Sequence, residues 1–287
     1  MYNILRIELK KAFHNKMFYI GLGIATILSI LSAVYNIEVY HTEMIAYDEM
    51  MSKESILINP NFPLYSLFNS WICEDFGSLA TQAFFFLLPI FSVLGYGWSF
   101  FYEKKNGYIK NVVTRTSKKI YFASKYIATF LSGGVLCVVP VIFNFLLVAL
   151  FIPAVTPHVF YDIGWTVSAA SMFSSLFFEK PFLYVCCRIL LVFLYGGAFG
   201  LFSFGLSFFL NNRFAVLLCP FLITLALHYG ESLFPQAWGM PELSPIYILG
   251  ANGYQIKMLL PALIEPLLII GITLLLSYQK GGKADVF

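Results

Sequence analysis

FYEKKNGYIKNVVTRTSKKIYFASK, Phe101 to Lys125, gathers seven basic side chains (Lys104, Lys105, Lys110, Arg115, Lys118, Lys119 and Lys125) into one short segment of a 287-residue chain. The chain as a whole is 59% hydrophobic and only 11% charged, with 31 Phe and 18 Tyr. So large an apolar fraction leaves too little polar surface to cover a globule in water. The expected class is an all-α integral membrane protein. In such a chain basic residues collect in loops kept on the cytoplasmic side, so the quoted loop orients everything around it.

Crossing a hydrocarbon layer of about 30 Å takes roughly 20 apolar residues in a helix. Working outward from the loop, such runs lie at Gly77–Phe101 and Phe122–Phe151 on its two sides, then at Phe18–Tyr35, Leu183–Leu210, Phe214–Phe234 and Leu259–Tyr278. Six spans in one domain, 1–287, are predicted. Arg6, Lys10, Lys11 and Lys16 precede span one, Arg213 follows span four, and Lys280 and Lys283 follow span six. The opposite connections, 36–76, 152–182 and 231–258, hold Lys53, Lys180 and Lys257 with most of the acids, among them Glu38, Glu43, Asp48, Glu49, Glu74, Asp75 and Glu179. Both termini and the loop 102–121 are therefore expected in the cytoplasm. Cleavage of span one as a signal peptide is the alternative for the start of the chain, but its basic lead is long and the small residues Ser32 and Ala33 make a poor site.

YNILRIELKKAFHNK places Ile4, Leu5, Leu9, Ala12 and Phe13 on one stripe, the pattern of a helix lying in the membrane interface over 1–17. Within the quoted loop, Gly107 can end the extension of span two. Tyr108, Ile109, Val112, Val113 and Thr116 then recur at helical spacing, opposite Lys110, Asn111, Thr114 and Arg115. This short amphipathic helix either anchors the loop to anionic lipid or docks a partner. The connection 36–76 is long enough for its own helix or lid, with the turn cluster NPNFP at Asn59 to Pro63. Ser168–Phe178 reads as a helix resting on the opposite interface. The Pro- and Gly-broken but apolar stretch 231–258 reads as short re-entrant helices.

Other features carry two readings each. Arg188 and Glu265 fall inside spans four and six at matching depth; an ion pair between them is the structural expectation, with snorkelling or contact with a charged passenger as the alternatives. VLGYG, Val93–Gly97, has the wording of a potassium filter, yet it sits at the cytoplasmic end of span two with no pore helix before it, so close helix packing is expected instead. GGAFG, Gly196–Gly200, offers a small-residue face for internal packing or for a dimer. Pro140 and Pro220 should kink their spans, leaving Asn144 open to a polar partner. Cys73 could pair with Cys186 or Cys187, though free thiols are the plainer reading of five cysteines without CxxC spacing. His228 lacks a second metal-type ligand and reads as a capping or interfacial residue. No GxxxxGK[ST] phosphate loop, HExxH or Ser/His/Asp set is present, so this chain is not expected to be an enzyme.

EKKNGYIKNVVTRTSKKIYFASKYIA, set in six spans behind an ELKKAFHNKMFYI start, resembles the permeases of type-2 (ABC-2) ABC exporters. The resemblance covers the layout of the whole chain, and its sequence-specific part is the start and this loop. It implies a coupling helix over Gly107–Ser117, with Glu103 at its approach and Tyr108, Ile109, Val112, Val113 and Arg115 on it, docking a separate ATPase subunit. Glu8, Lys10, Lys11 and Lys16 on the interfacial helix would lie beside the same partner. It further implies re-entrant helices between spans five and six and pairing of two permeases, as a homodimer or a heterodimer, in a bacterial plasma membrane. ATP and Mg would be bound by the partner, with no cofactor and no nucleic acid on this chain. The Phe-rich spans and acidic connections suit an amphipathic or hydrophobic passenger, such as an antimicrobial or toxin peptide or a drug. A carrier driven by an ion gradient, and an ABC-linked peptide sensor or immunity protein, stay open as alternatives.

Overall fold

A computed structural model describes residues 2–53, 65–75, 77–158, 167, 171–233, 244–250 and 258–282. Eleven α-helices occupy the described residues: α1 (Tyr2–Phe13), α2 (Lys16–Lys53), α3 (Leu79–Ser92), α4 (Ser99–Lys105), α5 (Tyr108–Val113), α6 (Lys118–Ala149), α7 (Ser174–Glu179), α8 (Pro181–Leu206), α9 (Arg213–Leu233), α10 (Pro245–Leu249) and α11 (Leu259–Leu276). No strand occurs among them. Among the described residues, six helices are long and apolar enough to cross a membrane: α2, α3 with the turn that follows it, α6, α8, α9 and α11. The molecule is a multi-pass helical membrane protein. Its basic end carries α1, α5 and the turn between α8 and α9; its acidic end carries the far part of α2, residues 65–75 and α7.

The first span ends later than the sequence reading has it. Instead of stopping near Tyr35, α2 continues to Lys53, about 57 Å at 1.5 Å per residue, nearly twice the roughly 30 Å hydrocarbon thickness. No Gly or Pro occurs from Ile24 to Asn59, and Glu, Met, Ala and Lys are good helix formers, so nothing local stops the helix where the chain turns polar. The first half of the acidic connection is thus an extension of span one. NPNFP falls outside the described residues.

At its start α2 is capped by Asn15, whose Oδ1 accepts the Met17 N–H at 2.7 Å while its Nδ2 donates to the Gly95 carbonyl at 3.2 Å. That carbonyl belongs to VLGYG, which forms a single π-helical turn, Val93–Gly97, between α3 and α4. A π turn interrupts the regular hydrogen-bond ladder, and Asn15 takes up a carbonyl there. VLGYG lies inside the bundle against α6 and α8, where a methyl on Gly97 would stand 2.9 Å from the Gly200 carbonyl. Close packing, the expected reading, accounts for these glycines. The same holds for GGAFG: a methyl on Gly133 would stand 2.7 Å from the Gly196 carbonyl, so the small-residue face joins α6 to α8 within one chain.

Asn144, one turn past Pro140, is fully buried and satisfied: it donates to the Ser29 carbonyl at 2.8 Å and accepts the Ile72 N–H at 2.9 Å. It therefore ties α2 and α6 to the loop 65–75. The Ser168–Phe178 reading needs correction. Residues 168–170 lie outside the described set, and α7 begins at Ser174 with Phe177 and Phe178 buried in the main apolar core together with Met172. These aromatics pack on Tyr184 and its neighbours in the protein core. All five cysteines are free thiols. Of the stretch 231–258, α10 is described as a buried five-residue helix docked on α8 and α9, while 234–243 and 251–257 lie outside the described residues.

Candidate functional site

The basic end is organised by four ionic side chains in a closed ring. Glu8 of α1 places Oε1 2.8 Å from Lys11 Nζ and Oε2 3.1 Å from Lys125 Nζ. Glu103 of α4 does the same, with Oε1 3.3 Å from Lys11 and Oε2 2.9 Å from Lys125. Each carboxylate bridges two ammonium groups, and the ring carries no net charge. Lys125 is fully buried and its Nζ also stands 4.0 Å from the Tyr96 ring. Tyr96 donates to Glu8 at 2.9 Å, and Tyr121 donates to Glu103. Desolvation of four charges is offset here by mutual pairing and by these hydroxyls.

Helical periodicity explains how these groups reach one place. Glu8 falls on the stripe of Ile4, Leu5, Leu9 and Ala12, so α1 turns it inward with them. Lys125 falls on the face of Tyr121, Phe122, Ala128 and Thr129, which α6 buries. Both carry charge on an otherwise inward face and need partners for that reason.

The short helix α5 is attached to this ring. Lys11 donates to the Tyr108 hydroxyl at 3.0 Å, and its Nζ lies 4.3 Å from that ring. Gly107, with φ of 69°, makes the left-handed joint between α4 and α5 that a side chain would strain. Ile109 is buried among Phe100, Tyr121, Phe122 and Phe204, with Val112 and Val113 packed against the same cluster. Lys110, Asn111, Thr114 and Arg115 are exposed.

Several sequence expectations change accordingly. The helix is Tyr108–Val113, shorter than Gly107–Ser117. Ile109, Val112 and Val113 seat it on the chain's own spans, so its free face is the polar one. Glu8 is buried and Glu103 is half-buried, and both carboxylates face the chain's own cations. Lys10 is exposed on α1, and Lys16 opens α2 beyond the break at His14 and Asn15. Lys125, Tyr96 and Tyr121 complete the ring; the sequence marks Lys125 only as one of the loop's seven basic residues and gives none of the three a place in a site.

At the acidic end Arg188 is also fully buried, and its partner is Glu74, not Glu265. Its Nε lies 3.0 Å from Glu74 Oε1. Nη1 donates to the Ile248 carbonyl, and Nη2 donates to the carbonyls of Cys73 and Leu249. Glu265 accepts from Tyr195, seven residues or about two turns further along α8, so the depths of Arg188 and Glu265 do not match. Tyr184 donates to Glu74 at 2.6 Å. Beside it, buried Asp75 accepts from the Thr81 hydroxyl at 2.6 Å and from the Gly77 and Ser78 N–H groups. His228 contacts the Ser244 hydroxyl at 3.1 Å and stacks on Tyr247. Among the described residues no group of His, Cys, Asp and Glu is placed to hold a metal ion.

Burial alone would raise the Glu8 carboxyl, but Lys125 and Lys11, with the Tyr96 hydrogen bond, hold it below its ordinary 4.5. Burial would likewise lower Lys11, and its bonds to Glu8 and Tyr108 with the Glu103 charge hold it above its ordinary 10.5. The lowered carboxyl adds stability above its unfolded value and loses it as pH falls through the folded one. The raised ammonium adds stability below its unfolded value and loses it as pH rises through the folded one. The unfolding temperature should hold steady between those limits and fall below about pH 4.5. Glu8→Gln should have a flatter acid limb in detergent; an acid limb as steep as the wild type's would contradict this assignment.

Comparison with family models, with curated proteins and with solved structures returns no match. The functional reading therefore rests on these residues and on the resemblance of the loop.

Proposed function

We propose that the chain is the membrane-spanning permease of an ATP-driven exporter and that α5 is the docking helix for a separate ATPase subunit. The observation that supports this is the mounting of α5. One side is fixed to α1, α4 and α6 through Tyr108, Lys11 and Ile109, while its polar side stands free. A helix held this way transmits a push to the spans instead of absorbing it. Lipid anchoring alone calls for charge and needs no such seat.

In this reading the basic end faces the cytoplasm of a bacterial cell, following the charge asymmetry of the loops. Two permeases pair around the path, and ATP and Mg are bound by the partner. Closure of the ATPase pair displaces α5 and, through the ion ring, α1 and the start of α6. The passenger is an amphipathic or hydrophobic molecule, such as an antimicrobial or toxin peptide or a drug. The gradient-driven carrier draws no support from the ring, whose charges cancel and lie at one end of the bundle.

Lys110→Glu combined with Arg115→Glu tests the docking face. Both side chains are exposed, so the variant should insert and unfold like the wild type yet lose its co-purifying ATPase. Undiminished co-purification would overturn the assignment of α5.

A further inference from the structure

Three cations from three elements converge on the turn between α8 and α9. Lys104, in the last turn of α4, approaches the carbonyls of Ser207 and Phe208 at 3.3 and 3.5 Å. Lys280, in the π turn Ser277–Gly282, holds its Nζ 3.6 Å from the centre of the Phe209 ring. Arg213, the first residue of α9, lies 5.4 Å from the Trp98 ring. All three are exposed, and among the described residues none makes a salt bridge. Their neighbours are carbonyl oxygens and aromatic faces. Lys11 and Lys125, at the same end, each have two carboxylates instead.

Like charges drawn onto one short turn repel, and an anion among them removes the repulsion. The apolar surroundings indicate which anion. Phe209 is 53% exposed and Phe214 is 72% exposed, at the level where α8 ends and α9 begins. Cations at a span boundary beside uncovered aromatic side chains suit a molecule with a phosphate head and acyl tails. We propose that turn 207–213, with Lys104 and Lys280, binds an anionic phospholipid. The bound phosphate ties together the ends of α4, α9 and α11, one residue pair before the joint at Gly107. This site requires only that the protein sits in a membrane and is independent of the ATPase reading.

The test is thermal unfolding of the purified full chain in zwitterionic detergent, with added phosphatidylglycerol, phosphatidylcholine or inorganic phosphate. Phosphatidylglycerol alone should raise the unfolding temperature. Each of Lys104→Gln, Arg213→Gln and Lys280→Gln should weaken its binding roughly fivefold. Lys105→Gln, which neutralises an exposed cation outside the turn, should respond as the wild type does. Lys104→Arg with Lys280→Arg keeps the charge and should keep the response, which separates lost binding from lost folding. Equal stabilisation by phosphatidylcholine, or an undiminished response in the three Gln variants, would overturn the proposal. A shift with phosphate alone would make this a soluble-anion site. Loss of an acidic co-purifying protein with the lipid response intact would make it a protein-docking site, and either result displaces the lipid.

Discussion

Lys125→Met is expected to cost about 3–5 kcal/mol of folding stability, because it leaves Glu8 and Glu103 buried with half of their counter-charge removed. The Met side chain fills most of the volume, so the loss reflects charge rather than a cavity. Adding Glu8→Gln and Glu103→Gln to the same chain should recover much of it, since no carboxylate is then left short of a counter-charge and the one ion that remains, Lys11, is 32% exposed and reaches water. The measurement is the denaturation midpoint in detergent for the single and triple variants. If the single variant unfolds like the wild type, the ring contributes nothing to the basic end. If the triple variant is no better than the single one, pairing is not the source of the loss.

Arg188→Met should cost a similar amount, about 3–5 kcal/mol, by leaving Glu74 buried without its cation and three carbonyls without a donor. The effect should be local to the acidic end. Hydrogen exchange at residues 244–250 should accelerate while α1 and α5 keep their protection. A double-mutant cycle separates the two candidate partners. Arg188 and Glu74 should couple strongly, whereas Arg188 and Glu265 should add within about 0.5 kcal/mol. Strong coupling to Glu265 would restore the pairing expected from sequence depth and contradict the one described here.

These two sites show what the sequence makes legible. The six spans could be read from runs of apolar residues, because a bilayer demands about 20 of them in a row. The small-residue contacts at Gly97, Gly133 and Gly196 could be read only as a tendency, since which helices meet there depends on the path of the chain. Glu8 and Lys125 were legible in principle: each sits at helical spacing among apolar neighbours, a position a lone surface charge would not hold. Glu74 was not, because it lies in a loop whose fold comes from Asn144 on a distant helix, and no periodicity reports that contact. Tyr35 looked like the end of span one because polarity begins there, but polarity ends burial without ending a helix. Ile109, Val112 and Val113 were correctly one face; the sequence could not say whose core that face fills.

We propose that a separate ATPase drives this chain through α5. The most direct test is purification of the chain from its native membrane in mild detergent, with ATP hydrolysis measured on the preparation and its components identified. The preparation should contain a stoichiometric second protein carrying a phosphate-binding loop, with Mg-dependent hydrolysis that disappears when that protein is stripped away. A chain that purifies alone, with no hydrolysis before or after reconstitution into vesicles, would contradict the proposal.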